Sequence, residues 1–119
     1  MKNERTSMVI FTVLNNYNIE IVVTKDVVES RKRRDFIYGE YDGEHAAAMH
    51  ACNGLGAACI IFPEKHRGIT DVAHECYHAV QAMMKWAEIH DSEAEAYHMG
   101  YLTKQVYDFV RSRSKRTRT

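Results

Sequence analysis

The stretch TDVAHECYHAVQ, residues 70–81, decides how this chain is read. His74 and His78 stand four residues apart with Glu75 between them, while Val72, Cys76, Ala79, Val80 and Met83 recur at three- or four-residue spacing. That period predicts an amphipathic helix ending near residues 86–88, with Thr70 as its N-cap and Asp71 favourable in the first turn. Positions i and i+4 share a helix face, so both imidazoles can close on one ion while the adjacent carboxylate polarises a water. This is the HExxH arrangement. The bland alternative is a surface or core-edge helix that happens to carry three polar residues.

The rest of the chain bounds what such a helix can belong to. With 119 residues, 45% of them hydrophobic, it suits one core, and two independent domains would each be small. Residues 1–110 are read as that domain and residues 111–119 as a basic, frayed tail. The tail, RSRSKRTRT, holds five of the 16 positive charges and none of the 16 negative ones, which leaves residues 1–110 with a net charge of −5. No run reaches the roughly 20 apolar residues of a membrane span, and MKNERTSMVIF lacks the apolar core and cleavage site of a signal peptide. Three cysteines (Cys52, Cys59, Cys76) without a CxxC pair suit free thiols in a reducing compartment. The expected location is cytoplasmic, or the host cytoplasm for a phage-encoded chain, with no membrane partner.

Upstream of the helix the pattern reads as strands. SMVIFTVL and YNIEIVVTKD flank the turn-forming NNYN, which predicts a hairpin with Tyr17, Ile19, Ile21 and Val23 on one face. KDVVESRKRRD is a short surface helix or a loop, and its basic cluster at residues 31–34 reads as a solvated face. In EHAAAMHACNGLGAACIIFPE, Asn53-Gly54 marks a second hairpin, closed by Pro63. Strands followed by two helices indicate an α+β domain. An exposed strand edge beside the HExxH helix would suit an extended peptide adding to the sheet.

Catalytic zinc takes three protein ligands and an open fourth position. The HExxHxxGxxH solution fails, because Gln81 and Met84 occupy its glycine and last histidine positions. The third ligand is therefore sought downstream, in SEAEAYHMG, where Glu93, Ala96, Tyr97 and Gly100 fall on one helical stripe. The small residues Ala96 and Gly100 would let this helix pack closely on the first. HECYH followed by ExxAY resembles the gluzincin metallopeptidases, particularly small single-domain members from bacteriophage and bacterial genomes, and more distantly the ImmA/IrrE group. The resemblance covers roughly residues 56–105.

The resemblance implies a zincin-like fold: a small, twisted, antiparallel-rich sheet packed on the HExxH helix and a following helix. It implies Zn2+ held by His74, His78 and Glu93, with Glu75 as general base on a zinc-bound water and a peptide or protein as substrate. Tyr97 stands where the family's ExxAD pattern has aspartate, which removes an outer partner for a ligand histidine and offers instead a donor to the oxyanion. Glu95 is the alternative third ligand. Ser92-x-x-Glu95 also reads as a capping box, which gives Glu95 a structural task and favours Glu93. His45, His50, His66 and His90 read as solvent-facing, His98 as flanking the pocket, and Cys76 as a packing residue.

Two rival functions remain. One is a non-catalytic, zinc-stabilised interaction module that contacts nucleic acid or an acidic partner through the basic tail, since structural metals commonly support small domains. The other is a metal-free binding domain that contacts nucleic acid through residues 31–34 and the tail.

Overall fold

The computed structural model describes residues 4–11, 17–43, 47–65 and 68–113. Its elements run β1 (Glu4–Phe11), β2 (Asn18–Thr24), α1 (Val27–Lys32), α2 (Asp35–Tyr38), β3 (Met49–Cys52), β4 (Ala57–Pro63), α3 (Ile69–Ala87) and α4 (Ser92–Arg113). The four strands form one mixed sheet in the order β1-β2-β4-β3. Pairs β1/β2 and β3/β4 are antiparallel, as the two hairpin signals require, and the central pair β2/β4 is parallel. The fold is a compact α+β arrangement. Asn15 and Asn16 of the segment NNYN lie outside the described residues, while α4 continues to Arg113, three residues into the basic tail. Among the described residues, no helix is long and apolar enough to cross a membrane.

The alternation of β2 and β4 sorts the core into two layers. Tyr17, Ile19, Ile21 and Val23, with Ala58, Ile60 and Phe62, face α3 and α4, where Val72, Cys76, Ala79, Val80 and Met83 meet them. Val22, Cys59 and Ile61 face the other way and pack with Val27 of α1 and Met49 of β3. Each fully buried Ile or Val contributes roughly 1.5–3 kcal/mol. Tyr17 also stacks obliquely on Trp86, 5.2 Å between ring centres, which ties the start of β2 to the end of α3. Burial raises the Tyr17 phenol to about 12.

The second layer corrects the reading of residues 31–34 as a solvated face. Arg34 is 6% exposed and reaches both carboxylate oxygens of Glu20, at 3.0 and 2.9 Å, and the Ser30 carbonyl at 2.9 Å. Arg31 is 7% exposed, pairs with Asp35 at 3.1 Å and lies over the rings of Tyr38 and Tyr41. Arg33 pairs with Glu29 at 3.2 Å. Three of the four basic groups thus serve the fold of α1 and α2, because both faces of the sheet need covering and this short connection has to do it. A buried Thr24 hydroxyl anchors α1, accepting from Ser30 Oγ at 2.9 Å and from the Asp26 amide at 3.2 Å.

The turns differ in detail from the sequence expectation. Asn53 does not take positive φ; its Oδ1 accepts from the amides of Leu55 and Ala57, at 2.7 and 3.2 Å, while Gly54 and Gly56 carry the positive φ. Gly68, not Thr70, is the N-cap of α3, one residue before Ile69. At the other end Glu88 takes the left-handed conformation, and the Ile89 amide returns to the Met84 carbonyl at 3.0 Å, which stops α3 and folds α4 back along it.

The packing face of α4 is a further correction. Leu102, Val106, Val110 and His98 are buried, whereas Glu93, Ala96, Tyr97 and Gly100 are exposed. The small-residue stripe therefore looks outward, because the larger apolar residues on the opposite side claim the interface with α3 and the sheet. Open space surrounds the position a Cβ would take on Gly100. Gly100→Ala is accordingly expected to stabilise the protein by roughly 0.5–1 kcal/mol in a denaturant melt, through helix propensity alone. Destabilisation would place Gly100 in a close helix contact.

Candidate metal centre

On α3 the residues Val72, Cys76, Ala79, Val80, Met83 and Met84 are buried, which turns the opposite face to solvent. His74, Tyr77, His78 and Gln81 lie on that open face, with Glu75 half-buried at its flank. The amphipathicity that docks the helix is therefore what presents both histidines. Their ring centres are 4.9 Å apart in an edge-to-face arrangement. Two imidazoles on one tetrahedral ion, each with a metal–nitrogen bond of about 2 Å, have ring centres about 5 Å apart. The pair fits two ligands of a single metal.

Glu75 lines a small cavity of about 110 Å³ with His74, Asp71, Phe62, Pro63 and Ala48. Burial raises the Glu75 carboxyl above its ordinary range; His74 and His78 oppose the shift and Asp71 adds to it. A raised carboxyl beside two imidazoles is suited to taking a proton from water and giving it up again. Cys76 faces inward next to Thr103, and burial pushes its thiol up to about 12, which fits an inert packing residue.

The candidates on α4 are arranged differently from the sequence expectation. Asp91, not a Ser92/Glu95 capping box, caps the helix: its Oδ1 accepts from the Glu93 amide at 3.1 Å and its carbonyl from the Glu95 amide at 3.0 Å. The Glu95 carboxylate is thereby free to accept a hydrogen bond from the Gln81 amide on α3, one turn beyond His78. Glu93 sits on the outer stripe, exposed. Tyr97 is 61% exposed, stacks on Tyr101 with ring centres 6.4 Å apart and meets the edge of His98. His98 is 6% exposed and belongs to the packing face. Among the described residues, no three His, Cys, Asp or Glu side chains stand together as a complete ligand set.

Sequence reasoning missed His50. It pairs with Ile60 across β3/β4, so it projects from the α3 side of the sheet, and its ring lies nearly parallel to that of His78, 6.1 Å between centres. The signal available in the sequence was the alternation of Met49, His50 and Ala51, but only the register showed which face mattered. Of the other histidines read as solvent-facing, His90 is exposed, and His45 and His66 lie outside the described residues. The apolar strand before the HExxH helix is β4, an inner strand; the outermost strand beside α3 is β3.

Burial, reinforced by His78, pushes His50 down to about 4 from 6.5. A native value below the unfolded one means that unfolding takes up a proton between these limits, so the stability contributed by neutral His50 is full above pH 6.5 and lost as pH falls toward 4. Unfolding free energies from pH 7 to 4 should therefore show a slope of up to about 1.4 kcal/mol per pH unit that His50→Leu removes. An unchanged slope would show His50 to be freely protonated in the native state.

Comparison with known protein families, characterised proteins and solved structures finds no match to this chain. The chemistry of the site rests on its own residues.

Proposed function

We propose that the protein is a zinc-dependent peptide hydrolase with a zincin-like architecture, in which His74 and His78 supply two metal donors and Glu75 is the general base. One observation carries the reading: the i, i+4 imidazoles share the open face of α3 at the ring spacing one ion requires, with a half-buried carboxylate beside them. A purely structural site has no use for a base in that position. Zinc bound there would act as a Lewis acid on the scissile carbonyl and lower the pKa of water toward about 7.

The chain's own residues then have defined tasks. The Glu75 carboxylate accepts a proton from the attacking water and delivers it to the leaving amine nitrogen. The cavity beside it, walled by Ala48, Phe62 and Pro63, takes an apolar substrate side chain and keeps bulk water from the carboxylate. Ala47 and Ala48, which line this cavity, lead into the outermost strand β3, where an extended peptide can add to the sheet. Tyr97, as an exposed phenol on α4, is the proposed oxyanion donor. The gluzincin resemblance looks for the third ligand on α4, first at Glu93 and then at Glu95.

The rival reading, a metal-free helix in a binding domain, is favoured by the lack of a complete ligand set among the described residues. Metal content decides between them. The purified chain is expected to carry about one zinc, lost in His74→Ala, and to cleave members of a peptide library read by mass spectrometry. Glu75→Gln should retain the metal and lose at least about 100-fold in rate. A zinc-free, folded wild type that takes up no added zinc would end the hydrolase reading.

A further inference from the structure

We infer that His50 of β3 is the third metal donor, so that the ion is held by three imidazoles, His50, His74 and His78, and by no carboxylate of α4. This rests on the zinc reading above and changes where its site is completed. The β3/β4 register sets His50 opposite Ile60, whose side chain packs against α3, so the strand delivers His50 to the HExxH helix. Its Nε2 is buried and has no hydrogen-bond partner among the described residues. An orphaned buried polar atom costs roughly 1–3 kcal/mol, and a neutral imidazole nitrogen is the commonest protein donor to a metal ion.

The ring positions support the same assignment. His78 is the shared neighbour: His74 at 4.9 Å between centres matches the spacing of about 5 Å for two imidazoles on one ion, and His50 at 6.1 Å stands about 1 Å beyond it. The His50 and His78 rings stand 20° from parallel, so closing the set takes a turn of the His50 ring out of this stack. Neither carboxylate of α4 is comparably placed, since Glu95 is held by Gln81 and Glu93 is on the outer stripe. Three histidines leave the fourth position open for water, with Glu75 still beside it.

The test is zinc affinity of the whole chain, measured by competition with a chromophoric chelator, together with the visible spectrum of the cobalt-substituted protein. His50→Ala should weaken zinc by more than the about 10–100-fold that an outer partner of a ligand is worth. Glu93→Gln and Glu95→Gln should stay within a few-fold of wild type. His50→Cys, which keeps a donor at that position, should retain zinc and add a thiolate-to-cobalt charge-transfer band that a merely structural role would not produce. It also serves where His50→Ala fails to fold. Wild-type affinity in His50→Ala, absence of the band in His50→Cys, or loss of zinc in either glutamate variant would overturn the inference while the zinc reading stood. A wild type without zinc affinity would overturn both.

Discussion

The parallel pairing of β2 with β4 is the constraint on which the rest of the structure depends. Parallel neighbours cannot be joined by a tight turn, so the chain between them must cross over the sheet and return. That crossover carries α1, α2 and β3. It covers one face of the sheet with α1 and leaves β3 outermost on the far side of β4. The other face is then filled by α3 and α4, which leave β4 at its end and fold back on each other. Because both faces are covered, the central strands are apolar on both sides, as in Ile60-Ile61 and Ile21-Val22-Val23.

The candidate site lies where these layers meet. Burying Cys76, Ala79 and Val80 against the sheet turns His74 and His78 to the open face of α3, a helix that has β3 and α4 among its neighbours. Packing and chemistry thus use opposite faces of one helix, and neither has to yield to the other. The two neighbours are unequal. The outermost strand brings an imidazole with an unpartnered nitrogen toward the pair, whereas the adjoining helix keeps one carboxylate on a neighbour's amide and the other in solvent.

Electrostatics follow the same layering. Arg31 and Arg34 are spent inside the fold, with Arg34 gripping Glu20 from the sheet and Arg31 held by Asp35 and two tyrosine rings. On the opposite side of the sheet, burial raises Glu75 and lowers His50, and both shifts favour the neutral forms near the histidine pair. Neutral imidazole is the form that binds a metal, and a carboxyl that readily regains its proton is the form a general base needs.

How much of this was legible in the sequence depends on the range of the interactions involved. The sequence by itself determined the α+β class, the two hairpin pairs, the shared face of Tyr17, Ile19, Ile21 and Val23, and the placement of His74, Glu75 and His78 on one helix. Each of these rests on periodicity or turn chemistry acting over a few residues. The tertiary structure alone decided the rest. The parallel β2/β4 contact joins segments about 40 residues apart and leaves no local mark, and with it came the burial of Arg31 and Arg34 and the arrival of His50 beside His78. The outward turn of Ala96 and Gly100 was hidden for a related reason. A helix with apolar residues at Leu102, Val106 and Val110 and small ones at 96 and 100 offers two packing faces, and only the larger area to be buried against α3 selects between them.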